Sequence, residues 1–140
     1  MKVDDYILLI EVSHAVQQEI NRRSVEEAEL TIQQAAVLAR IEGAGGKATV
    51  SRLAMDLGRA SHSVSGMITS LEKADLVNRA RAASKDRRQV WVSLSARGRR
   101  RLAAYHRAAG RLVEPLTDAR VTPDEAARLF EVIRSVTVRD

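Results

Sequence analysis

The side chains best able to do chemistry lie in one stretch, and the chemistry is that of holding anions. Lys47, Thr49, Ser51 and Arg52 come first. A hydroxyl-rich run follows at Ser61, His62, Ser63, Ser65 and Thr69, with Gly66 in its middle. Arg79, Arg81, Lys85, Arg87 and Arg88 complete the set, with Asp86 as an acidic residue among them. Hydroxyls and cations are the groups that contact phosphate oxygens, and arginine also reaches base edges. Nothing beside them suits covalent chemistry. There is no Ser-His-Asp arrangement, glycine-rich phosphate loop or paired carboxylate motif, so no enzyme activity is expected. His14, His62 and His106 show neither HxxxH nor HExxH spacing and cysteine is absent, so no metal or other cofactor is expected.

Charge follows the same division. Of 140 residues, 1–46 hold 4 basic and 8 acidic side chains, 47–111 hold 15 and 4, and 112–140 hold 4 and 6. An acidic frame thus encloses a basic middle, the footprint of a polyanion partner. Only 3% of the chain is aromatic, against 45% hydrophobic. Four scattered rings argue against single-strand binding by base stacking. They also leave the core to aliphatic residues at helical spacing. The longest aliphatic run, Ile7 to Ile10, is far short of the roughly 18 residues that cross a bilayer. No leader opens the sequence, and a cytoplasmic location is expected.

These residues need elements to position them. Apolar periodicity predicts a helix from Asp4 to about Arg23, with Arg22 and Arg23 at its C-terminal end and a polar connection over 24–30. Its Ile7-Leu8-Leu9-Ile10 run is apolar on more than one stripe, which implies a second buried face against another subunit. Thr31 and Gln34 form a capping box for a helix to about Glu42. Thr49 caps a short helix, Val50 to Leu57, that Gly58 stops, and another helix runs from Ser61 to about Ala74. A tiny strand is expected near Ala48. Leu76–Arg79 and Gln89–Leu94 read as strands joined by a hairpin tip over 80–88. Ser95 caps a long helix to about Leu116, and Thr122-Pro123-Asp124-Glu125 announces a last one carrying Leu129, Phe130, Ile133 and Val136.

Two short helices across a tight turn, followed by a basic hairpin, make a winged helix-turn-helix in the order α–α–α–α–β–β–α–α. The second helix of the pair fits a major groove about 12 Å wide, and the hairpin reaches the groove beside it. Residues 31–101 resemble the multiple-antibiotic-resistance regulator (MarR) family. The resemblance rests on Leu53-Ala54, Leu57-Gly58, Val64-Ser65, Leu71-Glu72, Leu76-Val77, Asp86-Arg87-Arg88, Val92-Ser93-Leu94-Ser95 and Gly98. It implies a homodimer held by the outer helices and a repressor or activator released by a small, often anionic aromatic, ligand. The expected organisation is one chain, 1–140, with dimerisation helices at 1–30 and 96–140 around a DNA-binding lobe at 31–95.

The sequence departs from that family at the recognition helix. Gly66 stands where arginine is common, Ala60 where a capping serine is usual, and Asp75 where glycine is usual. No Arg or Lys precedes Lys73 on the exposed face. Small side chains then let the helix sit deep, while Arg87 and Arg88 read a narrow minor groove. Asp86 either holds a wing arginine or shapes the turn. Arg97, Arg99, Arg100 and Arg101 are either phosphate-facing or solvated surface. Tyr6, His14 and Arg40 are candidates to hold an anionic aromatic effector, with packing at the subunit interface as the alternative. The expected partner is a pseudo-palindromic double-stranded operator, with no membrane involved. Rival readings on the same fold are a protein-interaction module and a non-specific architectural DNA binder.

Overall fold

A computed structural model describes residues 2–81 and 89–118 and positions 122, 124, 125 and 128. Helix α1 (Val3–Ala28) is followed by α2 (Ile32–Gly43), strand β1 (Lys47–Thr49), α3 (Val50–Leu57) and α4 (Ser61–Lys73). Strands β2 (Val77–Arg81) and β3 (Val90–Leu94) then lead into α5 (Ala96–Asp118). The architecture is a mainly helical winged helix-turn-helix, and the tiny strand near Ala48 is present as β1.

The strands form an antiparallel sheet in the order β1-β3-β2. Thr49 lies opposite Trp91, Arg79 opposite Val92 and Val77 opposite Leu94. Alternation along β3 puts Val92 and Leu94 into the core and leaves Trp91 and Ser93 on the other face. Leu38, Ile41, Leu53, Val64, Ile68, Leu71, Val92 and Leu102 are fully buried, so α2, α3, α4, the sheet and α5 share one aliphatic core. Burying such side chains stabilises by roughly 1.5–3 kcal/mol each, which is what locks α4 to the sheet.

Most caps lie where the sequence puts them. The Thr31 hydroxyl accepts from Gln34 N at 3.2 Å, and the Gln34 side chain accepts from Thr31 N at 2.9 Å. Thr49 Oγ1 accepts from Arg52 N at 3.1 Å, and Gly58 closes α3 at φ 60°. Ala60 supplies no cap bond to α4. Ala60→Ser should therefore stabilise the fold by about 1 kcal/mol, read as a higher urea midpoint with an unchanged slope.

Helix α1 differs from the expectation: it runs to Ala28, so residues 24–28 are helical and Arg22 and Arg23 lie inside it. Side-chain pairs three and four apart explain this. Arg22 binds Glu19 at 2.8 Å and Glu26 at 3.0 Å, and Arg23 binds Glu19 at 2.8 Å. The buried Ser24 hydroxyl donates to the Ile20 carbonyl at 2.6 Å. The Glu19 carboxyl is held down to about 2, chiefly by its hydrogen bond from Arg22 and then from Arg23. Its support for the helix is present above the ordinary value of 4.5 and fades as pH falls towards about 2.

The wing strands also shift. β2 starts at Val77, one residue later than expected, because Leu76 N still donates to Leu71 O at 2.9 Å in the turn after α4. Asp75 takes the left-handed conformation there, at φ 59°. β2 continues to Arg81, two residues into what the sequence reads as the hairpin tip, while β3 begins at Val90, one residue after the expected Gln89. Residues 82–88, with Lys85, Asp86, Arg87 and Arg88, lie outside the described residues. So do Leu129, Phe130, Ile133 and Val136 of the last expected helix. Its capping box is seen: Thr122 N donates to Glu125 Oε2 at 2.8 Å, and Glu125 N to Thr122 Oγ1 at 3.3 Å.

Candidate nucleic-acid interface

Helix α4 presents two faces because its apolar residues recur at helical spacing. Val64, Ile68 and Leu71 are buried, while Ser61, His62, Ser63, Gly66 and Ser70 are exposed. The outward face is therefore polar, small in side-chain volume and without cations before Lys73. A Cβ added at Gly66 would meet nothing within 4 Å. Packing does not require glycine there, although glycine costs the helix about 1 kcal/mol relative to alanine.

Between the starts of α3 and α4 and the sheet lies a cleft of about 310 Å³, lined by Val50, Ser51, Ser61, His62, Ser65, Arg79 and Val90. All but the two valines are residues singled out from the sequence. Arg79, on β2, is committed to the recognition helix. Its Nη2 donates to the Ser65 carbonyl at 3.2 Å and to Thr69 Oγ1 at 3.1 Å. Its Nε lies 3.8 Å from Glu72 Oε2 and is buried without a hydrogen bond. Thr69 in turn donates to the Ser65 carbonyl at 3.0 Å. The side chain is only 28% exposed, so these contacts tie helix to sheet. Arg79→Ala should lower stability by about 1 kcal/mol, the usual net worth of such bonds when partly solvated. An unchanged urea midpoint would show that the tether is not made in solution.

Three further anion-holding candidates fall on the other flank of α3. Lys47, Thr49 and Arg52 border a separate groove, which Arg40 and Trp91 also line. The Lys47 ammonium sits 4.8 Å above the Trp91 ring centroid. Arg52 Nε donates to both Asp56 carboxylate oxygens, at 2.9 and 3.0 Å. Arg81 ends β2 opposite Val90.

The effector candidates lie on two helices, Tyr6 and His14 on α1 and Arg40 on α2. His14 is exposed on α1, 2.9 Å from the Gln18 side-chain nitrogen. Arg40 lies in the last turn of α2 and borders the groove by α3. Tyr6 lies on α1. On α5, Tyr105 and His106 meet edge to face at 6.0 Å, and partial burial raises the Tyr105 hydroxyl's pKa.

The α5 arginines divide. Arg97 and Arg100 line a 420 Å³ cleft with Glu27 and Glu29. Arg101 is neither solvated nor free for phosphate. It lies 2.5 Å from Glu29, donates to the Ala28 carbonyl at 3.2 Å and is only 18% exposed. It secures the left-handed end of α1 on α5, and Arg111 pairs with Glu27 along the same seam. Sequence reasoning missed this clamp and the Lys47–Trp91 contact. Only the two-residue strand spacing hinted at the second. Among the described residues no group of three or more His, Asp or Glu is placed to hold a metal, and no helix is long and apolar enough to cross a membrane.

The likeness to known proteins follows the same outline. No curated protein matches the chain. A mutant MarR from E. coli, crystallised with operator DNA, is 26% identical, with TM-score 0.68 over 97% of this chain and 99% of that one. AbsC, a MarR family transcriptional regulator from Streptomyces coelicolor, shares the fold at TM-score 0.78, 19% identity, 95% of this chain and 89% of that one. The PcaV transcriptional regulator from Streptomyces coelicolor, in complex with its natural ligand, does so at TM-score 0.73, 22% identity, 93% and 89%. The family model that matches is that of the MarR family, over residues 30–90. From α2 through the helix-turn-helix to the start of β3, residues 30–90 are similar to the MarR family.

Proposed function

We propose that the chain is a transcriptional regulator of the cytoplasm that binds a pseudo-palindromic operator as a homodimer, as a repressor released by a small effector. The observation that carries it is the outward face of α4, which is polar, unencumbered and flanked by the Ser51–Arg79 cleft. In this reading Ser61, His62, Ser63 and Gly66 approach the major groove. Lys47, Thr49, Ser51 and Arg52 hold phosphates, joined by Ser65 and Arg81, while Arg79 positions the recognition helix through Ser65 and Thr69. Thr69 acts from behind, by fixing Arg79. Lys85, Arg87 and Arg88 supply the wing's contacts, with Asp86 as their support. Gly66, which no neighbour demands, lets the helix backbone approach the bases closely. The exposed apolar face of α1 supports the dimer. The effector reading draws on the family and on the ligand-bound PcaV.

Selection of bound duplexes from a random pool tests the proposal. The expected result is a pseudo-palindrome with half-sites about 10–10.5 base pairs apart, matching recognition helices roughly 34–36 Å apart. Affinity should fall by roughly 0.9 log units per neutralised phosphate for each log unit of salt. Equal affinity for selected and random duplexes at physiological salt would favour the second reading, a non-specific architectural binder. The absence of Arg and Lys from the exposed face of α4 before Lys73 is what keeps that reading in play.

A further inference from the structure

The start of α5 carries charge that neither folding nor the nucleic-acid interface uses. Arg97, Arg99, Arg100 and Arg101 crowd its first two turns, and no acidic residue stands in the first. The positive end of a helix disfavours cations, and like charges three and four residues apart repel. Arg101 is compensated by Glu29 and the Ala28 carbonyl. Arg97 and Arg100 are exposed and make no hydrogen bond or ion pair among the described residues. The wing places them away from an operator. Arg81 lies opposite Val90 at one end of the hairpin and Val77 opposite Leu94 at the other, roughly 13 Å along the strands. Helix α5 starts from this second end, remote from the end that reaches a groove.

What the two arginines line is the cleft of about 420 Å³, within the size range of small-molecule sites. Its other walls include Glu27 and Glu29 from the end of α1, with Ala28 and Ala104. This mixture is selective. Two unpaired guanidinium forks suit a phosphate dianion. Two carboxylates beside them accept hydrogen bonds from hydroxyls. Arg111 pairs with Glu27 and Arg101 with Glu29, which damps their repulsion of an anion. No ring stands among the described walls, so an aromatic ligand has nothing to stack on. A DNA backbone would meet the carboxylates with no hydroxyl to donate. We propose that this cleft binds a small sugar phosphate, with Arg97 and Arg100 taking the phosphate and Glu27 and Glu29 accepting the sugar hydroxyls. Bound there, the ligand ties the end of α1 to the start of α5. The site stands whether or not the operator reading above holds.

Isothermal titration calorimetry of the full chain with ribose 5-phosphate tests the site. Binding should saturate at one ligand per chain and raise the melting temperature. The double variant Arg97→Met/Arg100→Met should bind about a hundredfold more weakly, about tenfold for each charge-assisted pair. It should melt at or above the wild-type temperature, because the two cations repel each other and the helix end. Glu27→Ala should weaken ribose 5-phosphate about tenfold, the worth of a hydrogen bond to a charged group, and leave inorganic phosphate no weaker. Inorganic phosphate that binds wild type as tightly as ribose 5-phosphate would reduce the cleft to an anion patch and overturn the sugar. Wild-type affinity for ribose 5-phosphate in Glu27→Ala would do the same. Wild-type affinity in the double variant, with loss of binding in Arg52→Met, would place the phosphate by α3 and overturn the site. Heat that never saturates would also overturn it.

Discussion

Replacing Gly98 by alanine is expected to cost at least about 3 kcal/mol, a large fraction of the roughly 5–15 kcal/mol that holds a domain folded. A Cβ at this position would lie 2.0 Å from the Leu76 carbonyl oxygen and 3.0 Å from its carbon. Both are backbone atoms, so no side chain can swing aside. Leu76 cannot retreat easily either. It is 4% exposed, and its carbonyl accepts Ser95 N at 3.1 Å. Ser95 is the knot of this corner. Its hydroxyl donates to the Asp75 carbonyl at 2.7 Å and accepts Gly98 N at 2.9 Å, so it caps α5 and pins the turn after α4 together. A methyl group would force α5 away from the start of β2 and break those bonds. Urea unfolding followed by circular dichroism measures the loss. Gly110→Ala is the comparison, because nothing lies within 4 Å of a Cβ there. It should gain stability, up to about 1 kcal/mol, from helix propensity. Equal midpoints for Gly98→Ala and the wild type would refute the contact.

The second large effect is expected at α1. Ile10→Asp should convert a dimer to a monomer and lower operator affinity by about a hundredfold or more, the avidity lost when two linked half-sites become one. The reason is the apolar surface that α1 leaves uncovered. Val3, Ile7, Leu8, Ile10 and Val12 are between 48% and 75% exposed, whereas the side-chain contacts with α5 are made at the far end of the helix, by Glu27 and Ala28. So many large apolar side chains left uncovered on one helix mark an interface. A buried aspartate with no partner is costly, so a dimer built on this face would not tolerate it. Sedimentation gives the mass, and fluorescence anisotropy on the selected operator gives the affinity. Met55→Asp, equally drastic but on the groove by α3, should remain dimeric. A dimeric Ile10→Asp would mean that the subunits meet elsewhere.

Much of the helix-turn-helix was legible from the residues because its signals are local. Thr31 with Gln34, Thr49 before Val50, and Gly58 after Leu57 each act within one turn, and each cap bond or glycine turn is present. The end of α1 was not legible. Ser24 to Ala28 look polar and acidic in isolation, and polar runs usually join elements. What keeps them helical is pairing along the helix and a partner 73 residues away, Arg101, which holds the Ala28 carbonyl.

Arg79 shows the same limit at the candidate site. By type and place it reads as a phosphate anchor, yet its Nη2 hydrogen bonds go to Ser65 and Thr69. Arg40 was grouped with Tyr6 and His14 by chemistry, and in the fold it borders the groove that Trp91 also lines. Periodicity, caps and the placement of charge determined that this chain builds an aliphatic core with a small-residue helix and a basic hairpin. Only the tertiary structure decided which cations are spent on the protein itself and which stay open to a ligand. Helical and strand periods set the face on which a side chain emerges, but its partner across the core depends on contacts between residues distant in sequence, which no local pattern encodes.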